Sequence, residues 1–247
     1  GNPALQRRRG YRALLQAFLD AKAGLAIAWA DLDELVHAET RDVPGLYEIW
    51  CLVRLRSAVE AAFPIALSRG HIDHARGRMQ LRRGSCATTE RPVTILGRTF
   101  DLGLWYNRSF SPTPAHTAEG QVRIHGPGLG TWTKAMKPDF TIELVERVAG
   151  ANPIFVHLDA KYRLRSIRTE ADGDKTHAAD DIDKMHAYLF GINDSAGAYI
   201  LYPGDFISYF RRSDLRSTIG AIAAVPGRMD HLADAVREIV EAAVRDA

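Results

Sequence analysis

Lys137-Pro138-Asp139-Phe140-Thr141-Ile142-Glu143-Leu144 and, further on, Val156-His157-Leu158-Asp159-Ala160-Lys161-Tyr162 each read as a strand. Side chains alternate faces along a strand. Asp139, Thr141 and Glu143 therefore share one face of the first stretch, and Phe140, Ile142 and Leu144 share the other. In the second, Asp159 and Lys161 share a face, with Leu158 and Ala160 opposite. An acid at the start of one strand and acid-x-lysine on a neighbour make a compact polar cluster on an apolar scaffold. Metal-assisted phosphodiester hydrolysis is the chemistry that needs such a cluster. Mg2+ takes hard oxygen ligands and keeps several waters. It polarises the phosphoryl oxygen and lowers the pKa of a bound water. A lysine beside it orients that water or neutralises developing charge.

The rest of the chain supplies the scaffold. At 247 residues it is long enough for one large domain, or for one domain with a helical extension. Hydrophobic residues at 46% and charged residues at 25% are ordinary globular usage. A net charge of +2 does not announce a nucleic-acid binder. Arginine clusters at Arg7–Arg9, Arg76–Arg83, Arg163–Arg168 and Arg211–Arg212 could meet phosphates, although a solvated face is the ordinary role of any one of them. The cluster that includes Arg163 leaves the proposed site directly. Cys51 and Cys86 form no CxxC spacing and no disulfide framework, and Cys51 reads as a buried thiol. A reducing cytoplasm is expected. No apolar run reaches membrane-spanning length and no signal peptide is visible, so no membrane association is expected. The chain opens on Gly1, which suggests a tag remnant ahead of the C-terminal part of a longer protein.

In chain order, apolar spacing predicts a helix over residues 5–29 and a short one over 31–37, together a helical extension spanning 1–44. Pro44-Gly45 reads as a break. A strongly apolar helix then runs from Leu46 to about Ala62, where Pro64 ends it. Glu48 falls in its first turn. There it either compensates the helix dipole or stands as an acid close to the metal. His71 and His74 lie in a polar, arginine-rich stretch without further ligands at zinc spacing, and read as surface or nucleic-acid-facing residues. Strands are expected over 93–96 and 100–106, antiparallel and feeding the central sheet. Gly126-Pro127-Gly128-Leu129-Gly130 lacks the Gly-Lys-Ser/Thr ending of a phosphate loop and reads as a plain loop.

Asp172-Gly173-Asp174 marks a mobile loop, and a helix follows with Asp180 and Asp181 at its front. Lys184 and Tyr188 share a face of that helix, and Asp181 lies on it as well. Their alternatives are a solvated helix face and contact with a substrate phosphate. The strand Ala198–Tyr202 comes after this helix, so its pairing with the Asp159 strand is expected to be a parallel crossover. Residues 217–226 contain a last apolar segment, Ile219 to Pro226, and 228–245 read as an amphipathic closing helix.

Pro138-Asp139, nineteen intervening residues, then Asp159-Ala160-Lys161 resembles the signature of the PD-(D/E)XK nuclease superfamily. The Asp-Ala-Lys variant, the Tyr47-Glu48-x-Trp50 segment and Asp181-Ile182-x-Lys184-Met185-His186-Ala187-Tyr188 resemble its McrC-like branch of restriction nucleases. RecB-like members carry Gln-x-x-x-Tyr where this chain has Lys184-x-x-x-Tyr188. The resemblance covers residues 45–226 by order of elements. It implies an α/β, restriction-endonuclease-like mixed sheet flanked by helices over 45–247. It implies a Mg2+-dependent DNA endonuclease of a restriction or antiviral defence system, with Mn2+ able to substitute. It further implies Asp139, Asp159, Glu48 and the carbonyl of Ala160 as metal ligands, Lys161 as the catalytic lysine, and Lys184, Tyr188 and Arg163 as substrate contacts. Glu143, an extra acid on the ligand face, could compete with Asp139 or stand idle. The chain carries no nucleotide-binding motif, so a GTPase or other AAA+ motor would be a separate chain, and paired cuts in a duplex would suit a homodimer. The competing reading is a catalytically silent nucleic-acid-binding or assembly module on the same fold. A plain α/β domain with structural acids is the third.

Overall fold

A computed structural model describes residues 43–75, 78–112, 115–117, 123–125, 130–131, 134–162, 176–204, 207–211, 218–227 and 231–247. The helical extension expected over 1–44, the loop at 172–174 and Arg163 fall outside these residues, apart from Val43 and Pro44.

Helix α1 (Val43–Ala62) begins earlier than its apolar pattern suggested. Pro44-Gly45 is its first turn and not a break before it. Proline suits that position because its missing N–H would have no partner there in any case. Tyr47, Trp50, Cys51, Leu52, Leu55 and Val59 are buried, and the helix stops ahead of Pro64 as expected. Residues 66–90 are not merely polar surface. They hold strands β1 (Ile72–Ala75), β2 (Arg78–Leu81) and β3 (Ser85–Thr88). β4 (Val93–Ile95) and β5 (Arg98–Tyr106) follow as an antiparallel pair. Ahead of the glycine-rich segment, β6 (Ala115–Thr117) and β7 (Arg123–His125) form a small antiparallel pair. Of the glycine-rich segment, only Gly130 is described.

The two diagnostic stretches are β8 (Phe140–Glu146) and β9 (Ile154–Ala160), each displaced by a few residues from its expected bounds. After them come α2 (Thr176–Gly191), β10 (Ser195–Tyr202), β11 (Ser208–Arg211), β12 (Thr218–Ala223) and α3 (Leu232–Asp246). The main sheet runs β11-β12-β10-β9-β8-β5-β3, with β4 also on β5. β9, β10 and β12 are mutually parallel, and the other pairings are antiparallel. This is a mixed α/β sheet flanked by helices, as a restriction-endonuclease-like fold requires. The parallel β9–β10 pair spans the α2 crossover.

Alternation along β8 separates the layers. Phe140, Ile142 and Leu144 face the core beneath α1 and α3, together with Ile154, Val156 and Leu158 of β9. Phe155 of β9 faces the other core, where Met185, Tyr188 and Leu189 of α2 meet Ala198, Ile200, Ile219 and Ala221. β9 is therefore buried on both sides, as a central strand is. α3 buries Leu232, Val236, Ile239, Val240 and Val244 along one side, as the amphipathic helix expected there would. Among the described residues, no helix is long and apolar enough to cross a membrane.

Candidate active site

Register sets the centre of the site. Phe140 pairs with Leu158 and Thr141 with His157, so one further step brings Asp139 opposite Asp159. The link is direct: the Ala160 N–H donates to Asp139 Oδ2 at 2.8 Å. Both acids lie on the α2 side of the sheet, where the parallel strands end.

Asp159 is fully buried yet ionically engaged at both oxygens. Lys161 Nζ pairs with Oδ2. Lys184 Nζ donates to Oδ1 at 2.8 Å, and the Tyr188 hydroxyl lies 3.2 Å from the same oxygen and 3.1 Å from the Lys137 carbonyl. Lys184 and Tyr188 thus turn inward onto an acid, and the solvated helix face does not apply to Tyr188, which is buried. Burial weakens the charge of Lys161, but Asp159 outweighs it and holds the lysine pKa above its ordinary value. Burial, followed by Asp159, raises the Tyr188 hydroxyl, which stays protonated as a donor.

Asp139 is pushed up to about 7, chiefly by burial and then by the charges of Asp159 and Glu48, against the relief from the Ala160 N–H. Glu48 therefore stands within electrostatic reach of Asp139. It does not sit in the first helical turn, because α1 starts at Val43, and that turn holds no acid. Dipole compensation is thus a poor account of it. Its Oε1 accepts from Asn107 Nδ2 at 2.8 Å, and its charge raises the nearby Tyr106 hydroxyl further, after burial. Likewise α2 begins at Thr176, so Asp180 and Asp181 lie past its first turn. Glu143 is spoken for: Oε2 accepts from Trp105 Nε1 at 2.6 Å and Oε1 pairs with Arg108 at 2.9 Å.

The donor set is one of hard oxygens around a cation-favouring acid pair, which fits a divalent metal in chemistry. In geometry the fit is partial. Among the described residues, no three His, Cys, Asp or Glu side chains converge closely enough to hold an ion. Glu48 is turned to Asn107, and Asp159 is matched by ammonium groups.

A family model described as the PD-(D/E)XK nuclease superfamily matches residues 45–206. The chain belongs to this superfamily. Comparison with curated proteins and with solved structures gave no match. Members of the PD-(D/E)XK superfamily are generally nucleases that bind nucleic acid and typically use divalent metal ions.

Several residues that shape this PD-(D/E)XK site escaped the sequence reading. Asn107 adopts a left-handed backbone (φ 54°), a conformation Asn tolerates better than most residues. From there its N–H donates to the Asp139 carbonyl at 2.7 Å while its side chain holds Glu48. An Asn just past the last strand residue before the turn was the available signal. His157, two residues before Asp159 and on the same face, is fully buried. Its Nδ1 lies 3.0 Å from Thr141 Oγ1 and its Nε2 2.9 Å from Ser195 Oγ, whose hydroxyl donates to the Tyr188 carbonyl at 3.3 Å. This chain ties β8, β9 and β10 to α2 directly beneath the acids. His71 is no surface residue: it is buried, with Nε2 2.7 Å from the Leu104 carbonyl.

Proposed function

We propose that the chain is a Mg2+-dependent DNA endonuclease, with Mn2+ able to substitute, and the effector of a restriction or antiviral defence system of the McrC-like kind. The observation that carries the reading is the union of Asp139, Asp159, Lys161, Lys184 and Tyr188 at one end of the sheet, in the order that the superfamily motif requires.

In this reading Asp139, Asp159 and the Ala160 carbonyl hold the metal, and Glu48 joins them on leaving Asn107. The ion would polarise the scissile phosphoryl group and lower the pKa of an attacking water. Lys161, kept protonated by Asp159, donates to that water or to the phosphate oxygens as charge develops. Lys184 and Tyr188 on α2, with Arg163 beyond β9, bind the phosphodiester backbone. His157 and Asn107 hold the elements that carry these groups and do not touch substrate. A motor subunit on another chain and a homodimeric arrangement belong to the same reading, as does a cytoplasmic setting.

A catalytically silent nucleic-acid-binding module is the second reading. The saturation of Asp159 by two lysines favours it, since such a site holds its charge balance without a metal. The experiment is cleavage of linear and supercoiled DNA with Mg2+ or Mn2+, beside D159A and K161A. Metal-dependent cutting that falls by at least about a hundredfold in both variants is expected, the scale on which general acid–base and electrostatic groups act. DNA binding without cutting by the unaltered chain, with or without metal, would favour the silent module.

A further inference from the structure

Asp159 has two oxygens and two lysines, and the lysines are not equivalent. Lys161 follows from the same strand, and its side chain is 21% exposed. Lys184 comes from α2, and its side chain is 40% exposed. Lys184 thus caps Oδ1 from the solvent side, with its Nζ 5.2 Å from the centre of the Tyr188 ring. Its flexible four-carbon stem lets the ammonium swing away from the oxygen without moving the α2 backbone. The Tyr188 hydroxyl lies 3.2 Å from the same oxygen.

A buried carboxylate without a partner is costly, and one with an ammonium partner is not. A divalent cation entering at Asp159 must take an oxygen that a lysine already holds, and it meets a like charge there. We infer that Lys184 is a displaceable counter-ion: it neutralises Asp159 Oδ1 in the metal-free protein and gives up that oxygen to the metal. This rests on the proposed metal site and adds to it a residue that sets metal affinity. Lys184 then holds the metal-free fold together and weakens metal binding, while its freed ammonium becomes available to a substrate phosphate. Gln at this position would donate to Asp159 without a charge.

The test is calorimetric titration of Mn2+ into the unaltered chain, K184Q, K184R and D159A, with thermal melts of the same samples in chelator. K184Q is expected to bind Mn2+ about tenfold more tightly, the factor that corresponds to one charge-assisted hydrogen bond. It is also expected to melt at a lower temperature in chelator and to gain more from metal. K184R, which keeps the charge, should bind as the unaltered chain does, and D159A should not bind. Equal or weaker Mn2+ binding by K184Q, with D159A silent, would overturn the inference and leave the metal site standing. Failure of the unaltered chain and K184Q alike to bind would remove the metal site and the inference with it. Binding by K184Q alone would support both.

Discussion

Asp139 and His157 are perturbed in opposite senses, and their pH effects are separable. Asp139, raised to about 7, holds a proton in the folded chain at pH values where the unfolded chain has lost it. Its contribution to stability is therefore present at low pH and falls as pH rises from about 4 to 7. His157 is lowered to about 3 by burial and then by the charge of Arg108. It stays neutral when folded while its unfolded counterpart binds a proton below about 6.5, so its contribution falls as pH drops through 6.5 toward 3. Each effect is bounded at roughly 4–5 kcal/mol. Between about 4 and 6.5 the two slopes oppose each other, and around pH 7 only that of Asp139 remains. Denaturant melts in chelator should show stability declining around pH 7 in the unaltered chain. In D139N that decline should vanish and a rise from pH 4 to 6.5 should emerge. A decline that persisted in D139N would assign it to another group. At this scale the sequence was legible where alternation alone decides the face, as for Asp139, Asp159 and Lys161. Asn107 carried a local turn signal, but its hold on Glu48 and Asp139 was not legible, nor was the His157 relay across β8, β9 and β10, since both depend on partners distant in the chain.

Among the elements, α1 is joined to the sheet by more than apolar contact. The Tyr47 hydroxyl donates to the Ala224 carbonyl at 2.7 Å, just past β12. Its ring lies 5.6 Å from that of Trp50 and 5.4 Å from that of Tyr162, which follows Lys161. Y47F leaves these ring contacts and orphans the carbonyl, so a loss of about 1–2 kcal/mol is expected in urea unfolding. L55A, which empties a fully buried position of the same helix, should cost more, about 2–5 kcal/mol. Equal losses would mean that α1 is held by the hydrogen bond as strongly as by its packing. Periodicity and Pro64 fixed the end of this helix, but its start was misplaced, because Pro44-Gly45 serves a first turn as readily as a break. The start of α2 at Thr176 was misplaced for another reason: Asp180 and Asp181 suggested a helix front, yet they lie past the first turn. β1, β2 and β3 were hidden by arginines and other polar residues, whose pattern alternates too weakly to separate strand from loop.

At the scale of the molecule, the matched family region and the folded unit do not end together. The family match stops at residue 206, yet the sheet continues through β12, which lies between β10 and β11. α3 then joins the core beneath α1. The sequence showed a last apolar segment and an amphipathic helix there. It could not show that the segment enters the sheet next to β10, because that placement is a long-range pairing with no local signal. β12 covers one edge of β10 along six paired residues, from Gly197–Thr218 to Tyr202–Ala223. Without it, that edge of β10 would present unpaired N–H and C=O groups, a template for association with other chains. The core beneath α1 would also lose Ile222, Val236, Ile239 and Val240. A chain cut after residue 206 should therefore keep the whole superfamily motif and still lack a cooperative unfolding transition, and should associate on concentration. Thermal and urea unfolding of residues 1–206 beside the full 247-residue chain makes the comparison. A single sharp transition from a monomeric 1–206 fragment would show that the motif region folds by itself and that β12 and α3 are accessory to the site.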